Sequence, residues 1–127
     1  LEHIKEDINE LKKTKNKLNN GGHLIIMVPA HQEIYGNLDK AVGHFRRYEK
    51  DFFKKNLLEL DLVNFKYLDS MGYILYNLNK IFFKSETFPS KLKIFIWDKV
   101  FTPVSILIDF FTNYKFGKCM IAVYKKR

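Results

Sequence analysis

Apolar residues near the start of the chain follow two different periods. Ile4, Ile8, Leu11 and Leu18 recur at helical spacing with Lys and Glu between them, and Asn19-Asn-Gly-Gly22 supplies a stop, so the pattern predicts an amphipathic helix lying on a sheet. Leu24-Ile-Ile-Met-Val28 is then apolar at every position and halts at Pro29, which predicts a central parallel strand covered by helices on both faces. A polar loop follows. Phe52, Phe53, Leu57, Leu58 and Leu60 place a second helix within 49–60, and Leu62-Val-Asn-Phe-Lys-Tyr-Leu68 alternates as a half-exposed strand.

The next stretch changes character. Ile74, Leu75, Leu78, Ile81 and Phe82 form one helical run, and Phe95, Trp97, Val100, Phe101, Val104, Leu107, Ile108 and Phe111 a second, with Phe88-Pro-Ser between them. Lys118-Cys-Met-Ile-Ala-Val-Tyr124 reads as a last strand after Gly117, and Lys125-Lys-Arg127 as a solvated tail. Strands alternating with helices define a mixed α/β domain without internal repeats.

Composition adds bounds. One domain of 127 residues with 46% hydrophobic and 16% aromatic content can bury a core, which excludes a disordered chain. The 22 Lys and Arg against 14 Asp and Glu leave a net charge of +8, but the Lys residues are scattered in a chain biased to Lys, Asn, Ile and Phe overall. Nucleic-acid binding is therefore not expected, because it would need a clustered basic face interleaved with aromatics. Cys119 is the single cysteine, which excludes an internal disulfide, and it reads as a core residue. The best candidate for a membrane span, 94–114, is interrupted by Asp98, Lys99, Pro103 and Asp109.

Candidate chemistry concentrates between His31 and Tyr48. Arg46 and Arg47 offer forked donors for a carboxylate or phosphate, and Tyr35 and Tyr48 offer apolar walls with a hydroxyl at the tip. The same residues also admit an internal lock, in which Asp39 pairs with Arg46 or Arg47 and His44 bonds to backbone. His3, His23, His31 and His44 lack metal-ligand spacing along the chain, so no metal is expected.

Leu1-Glu-His-Ile4 followed by a helix, an Asn-Gly-Gly turn, an Ile-rich strand ending in Val-Pro-Ala, the phrase Leu38-Asp-Lys-Ala-Val-Gly-His-Phe-Arg-Arg-Tyr48 and a closing Ile-Ala-Val-Tyr-Lys-Lys strand resembles the class I methyltransferases of type 11 and type 12. The resemblance implies a partial Rossmann-like sheet: the end of strand four and its following loop at 1–4, strand five at 24–28, strand six at 62–68 and an antiparallel strand seven at 118–124. It weakens between about 73 and 116, where the helices over 72–114 form a cap insertion. It implies S-adenosylmethionine as cofactor, Glu2 and His3 at the cofactor, His3 as a base, and His31, Tyr35, Asp39, His44, Arg46, Arg47 and Tyr48 at an acceptor that is a small or lipid-linked molecule. It also implies a cytoplasmic location.

The Gly-rich turn and the ribose-binding acid that such enzymes carry are not found, since Gly21-Gly22 precedes a strand instead of following one. The chain therefore reads as the acceptor-side half of a longer domain, with the cofactor-binding half as its missing partner. The rival reading is a non-catalytic module for a membrane surface or for another protein, to which the apolar helices beside Lys80, Lys84, Lys91 and Lys93 would dock.

Overall fold

The computed structural model describes the backbone of residues 1–82 and 90–127, and side chains outside 79–89. In chain order it contains α1 (Asp7–Asn16), β1 (His23–Pro29), a 3-10 turn (Gln32–Ile34), α2 (Asn37–Ala41), α3 (Lys50–Asn56), β2 (Leu60–Leu68), α4 (Ser70–Phe82), α5 (Lys91–Ile96), a π turn (Trp97–Phe101), α6 (Thr102–Phe111) and β3 (Cys119–Lys126). The expected Ile81 and Phe82 side chains, Lys80, Phe83, Lys84 and, of the Phe88-Pro-Ser break, Phe88 and Pro89 lie outside the described side chains, while Ser90 caps α5.

Three strands form one sheet in the order β1-β3-β2. The last strand enters between the first two and runs antiparallel to both, with Val28 opposite Met120 on one side and Tyr67 opposite Met120 on the other. A bulge between Leu62 and Asn64 shifts the β2 register. Side chains that alternate to one face, Ile26 and Val28 of β1 with Met120, Ala122 and Tyr124 of β3, bury against Leu11 of α1, Phe53 of α3 and Leu57 just past its end. Tight packing of this face is the core of the sheet.

Two expectations are corrected here. β1 is not a central parallel strand: its only strand partner among the described residues is the antiparallel β3, and its outer edge is paired there only at the carboxyl end, by a single parallel bridge beside Pro29. Its second face is not covered either, with Ile25 65% and Met27 61% exposed. An all-apolar strand is read as two-sided because nothing in the strand itself says which faces its neighbours reach. Residues 1–4 form no strand end; Ile4 N–H donates to the Leu1 carbonyl at 2.9 Å in a turn that leads into α1. The sheet of the described chain thus has three strands where a four-strand remnant was expected.

The tail is also tied down. Arg127 donates to Asp61 at 2.7 and 2.9 Å, and the Lys126 ammonium donates to the Leu18 carbonyl at 2.7 Å.

Between β2 and β3 the chain makes its helical insertion, in which α4 packs on α6. The second helical run expected over 95–111 is split. Pro103 has no N–H to donate and its ring crowds the carbonyl four residues back, so the ladder loosens into the π turn and restarts with Pro103 in the first turn of α6. The base of the insertion is held by polar side chains. Asp109, 4% exposed, accepts from the backbone N–H groups of Asp69 and Ser70 at 2.9 and 3.0 Å, and Asp69 accepts from Gly72 N–H at 2.9 Å. Ser105 Oγ adds a bond from Met71 N–H at 3.0 Å. A residue of α6 therefore satisfies the orphan donors at the start of α4.

Candidate functional site

The loop from His31 to Tyr48 leaves the carboxyl end of β1 and folds back to it. Ala30 bridges Tyr48, with His31 N–H on the Tyr48 carbonyl at 3.1 Å and Tyr48 N–H on the Pro29 carbonyl at 2.9 Å. A loop closed so tightly places its inner polar groups out of water, where each needs a partner.

Asp39 is that partner for three groups. It is 2% exposed; its Oδ2 accepts from Arg47 Nε and from Gly36 N–H, both at 3.0 Å, and its Oδ1 lies 2.8 Å from His44 Nδ1. Burial pushes its carboxyl upward, but the bonds from Arg47, His44 and the Gly36 amide outweigh that and hold it below the usual carboxylate range. Arg47 is itself buried and spends a further N–H on the Ala30 carbonyl at 3.2 Å, while its backbone N–H is taken by Gln32 Oε1 at 2.8 Å. The internal lock is what the loop contains, with Arg47 as the arginine and the Asp39 carboxylate, not backbone, as the partner of His44.

Arg46 points the other way, toward α1. Its guanidinium meets Asp7 Oδ2 at 2.6 Å and the Lys5 carbonyl at 2.9 Å. Asp7 also accepts from the Tyr48 hydroxyl at 3.0 Å. Burial, and then the carboxylate of Asp7, push the Tyr48 hydroxyl well above its ordinary range, so it stays protonated as a donor. Tyr48 is a buried strut and not a wall of an open pocket. Tyr35 spends its hydroxyl on the His44 carbonyl at 2.7 Å. Both arginines thus direct their guanidinium groups to carboxylates and carbonyls of the protein itself, Arg47 in a buried position and Arg46 in a partly exposed one.

Glu2, His3 and His44 come together at the rim. The imidazoles of His3 and His44 meet edge to face with centroids 4.7 Å apart, and His3 Nδ1 lies 3.1 Å from the Gly43 carbonyl. Gly43 adopts φ +84°, a conformation that costs other residues strain, and this turn aims its carbonyl at His3. Burial would raise the Glu2 carboxyl, but a backbone hydrogen bond, the Leu1 ammonium and nearby His44 hold it low. Two histidines without ligand spacing in sequence are therefore neighbours in space.

His31 belongs to a second group. Its backbone is left-handed at φ +68°, its ring stacks between Tyr67 at 5.1 Å and Tyr73 at 4.7 Å, and Nδ1 faces Glu33 at 3.3 Å. Its Nε2 is buried without a hydrogen-bond partner among the described residues. Glu49 lies close to both.

Sequence reading missed Asp7, Gln32, Tyr67 and Tyr73. An acidic residue in a first helical turn is commonplace, so Asp7 carried no signal of its role; its partners lie about forty residues on. Cys119 was expected in the core and is partly buried, with its thiol pushed up by burial and therefore protonated at neutral pH.

No family model, curated protein or solved structure matches the chain.

Proposed function

We propose that this chain is the acceptor-side half of a class I methyltransferase domain, acting in transfer of a methyl group from S-adenosylmethionine to a small or lipid-linked acceptor. The observation that supports it most is topological. Two strands run parallel to each other with the last strand antiparallel between them, and the loop with the candidate residues leaves the carboxyl end of the first strand, where open α/β sheets bind ligands.

The cofactor itself does not fit the described residues taken alone. None of their turns is a Gly-rich one following a strand, and a cradle for the methionine moiety would have to come from a companion half lying along the edge of β1 away from β3, which beyond the Tyr48 bridge has no strand partner among the described residues. The bare Ile25 and Met27 are consistent with such a neighbour, since exposed apolar side chains of this size each forfeit about 1.5–3 kcal/mol.

On the acceptor side, the Asp39–Arg47 pair fixes the loop and His44, and His3, with Nδ1 turned to the Gly43 carbonyl, presents Nε2 as a lone pair able to take a proton from an acceptor hydroxyl. The test is to titrate the full-length protein with S-adenosylmethionine by calorimetry. Saturable binding is expected; a full-length protein that does not bind the cofactor overturns the reading.

A second reading rests on the outward face of the insertion. Phe95, Ile106, Leu107, Phe110 and Phe111 are exposed, and Lys91, Lys93 and Lys99 lie in the same helices and the turn joining them. No helix among the described residues is long and apolar enough to cross a membrane. Such a surface suits the interface of an anionic bilayer, whether as a non-catalytic module or as the means by which an enzyme reaches a lipid-linked acceptor. Flotation with phosphatidylserine vesicles, without cofactor, is expected to carry the protein at low salt and release it at high salt; no flotation at low salt removes this reading.

A further inference from the structure

The two imidazoles at the rim are oriented as metal ligands are. A backbone carbonyl and a carboxylate only accept hydrogen bonds, so His3 Nδ1, 3.1 Å from the Gly43 carbonyl, and His44 Nδ1, 2.8 Å from Asp39 Oδ1, each carry the proton in the neutral ring. That fixes both tautomers and leaves Nε2 as the lone-pair nitrogen of each. Histidines that bind metals are held in this way, by an oxygen acceptor behind the ring that sets its orientation and raises its basicity.

The third member is a carboxylate. A Glu2 oxygen and one nitrogen from each ring lie within 4.8 Å of one another. Bonds of about 2.0–2.2 Å to a tetrahedral cation set its ligand atoms roughly 3.3 Å apart. The three groups therefore need to close by at most about 1.5 Å, and none of them is fully buried: His3 is exposed, and Glu2 and His44 are partly so. The elements behind them are rigid. Asp39 is buried and anchored by Arg47 and by the Gly36 amide, and the Gly43 turn is set by its left-handed backbone.

We propose that Glu2, His3 and His44 form a site for a divalent transition-metal cation such as Zn²⁺, with Asp39 and the Gly43 carbonyl as the groups that orient the two histidines. Two nitrogens and one oxygen fill three positions of a tetrahedral ion and leave one open to water or to an oxygen of a bound molecule. In the second group, His31, Glu33 and Glu49, Glu49 Oε1 accepts from Gln32 N–H at 2.9 Å and His31 Nδ1 faces the Glu33 carboxylate, which belongs to the group itself and so does not orient the ring from behind. This group carries no such orienting pattern and is not part of the proposal.

The site competes with the base role given to His3 in the methyl-transfer reading, since a metal-bound Nε2 cannot take a proton, but it does not rest on that reading, and its test does not use activity. Full-length protein stripped with a chelator is titrated with Zn²⁺ by calorimetry and with Co²⁺ by visible absorption. One equivalent of Zn²⁺ is expected to bind, and Co²⁺ is expected to give the intense visible bands of a four- or five-coordinate ion. His3→Ala, at an exposed position that the core does not need, is expected to weaken Zn²⁺ binding at least 100-fold and to abolish those bands. Asp39→Asn is expected to weaken it about 10–100-fold, as loss of an orienting carboxylate does. Absence of saturable one-equivalent binding, or binding that His3→Ala leaves unchanged, overturns the proposal.

Discussion

The loop from His31 to Tyr48 and the helical insertion from Ser70 to Phe111 solve opposite problems. The loop turns key charges inward: Asp39 and Arg47 are nearly sealed from water and bonded to each other, and Arg46 and Tyr48 meet the buried Asp7 of α1. The insertion is rich in apolar residues and turns many of them outward, with Phe110 67% and Phe111 81% exposed, while its buried polar side chains among the described residues, Ser70, Ser105 and Asp109, gather at its base. A buried polar network is geometrically demanding, because every member needs its partner. An exposed apolar face makes no such demand and awaits something to cover it. Precision of placement therefore belongs to the loop, and capacity for docking to the insertion.

Breaking the loop should cost most. Asp39→Ala leaves the Arg47 guanidinium buried without its carboxylate, and loss of one member of a buried pair costs about 3–5 kcal/mol, a large part of the stability of a small domain. Urea unfolding of the full-length protein measures it, and a loss below about 1 kcal/mol would mean that the pair is solvated. The same pair has a pH signature. The folded-state pKa of Asp39 is depressed below its ordinary 3.8, so the stabilisation is complete above that value and is lost as pH falls through the folded-state pKa. Unfolding free energies compared between pH 7 and pH 3 should converge for the wild type and Asp39→Asn as acid is added.

The cap of the insertion comes next. Asp109→Ala removes the acceptor for two N–H groups at the start of α4, and about 2 kcal/mol is expected from the lost charged hydrogen bonds. Tyr48→Phe should cost less, about 1–2 kcal/mol, because Asp7 keeps its ion pair with Arg46 when the hydroxyl is gone. If the two losses were reversed in size, the polar base of the insertion would be less ordered than the loop's outer bonds.

What the sequence disclosed follows the same division. Local patterns are carried by neighbours in the chain, so α1, the strand at Leu24–Val28, the strand at Lys118–Tyr124 and the two apolar helical runs were legible. The sealed pair of Asp39 with Arg47 was also within reach, because its members are eight residues apart. The meeting of Glu2 and His3 with His44, and of Asp7 with Arg46 and Tyr48, was not, because contacts spanning about forty residues are set by how α1 and the loop pack against β1. Coverage of β1 was misjudged for a related reason. Ile25 and Met27 look the same in sequence as Ile26 and Val28, and only the position of α1 and α3 on one side of the sheet distinguishes them.

The smallest expected effect on stability tests the other half of the comparison. Phe111→Ser removes a ring that is already mostly in water, so the unfolding free energy should change by no more than about 0.5 kcal/mol. If the outward face docks to an anionic bilayer, the same substitution should lower flotation with phosphatidylserine vesicles, because the ring is then buried only in the bound state and its burial contributes about 1.5–3 kcal/mol there. A variant that is as stable as the wild type and floats less separates docking from folding. One that loses stability instead would place Phe111 inside a packed interface within the full-length protein, and the outward face would then be a surface that the rest of the domain already covers.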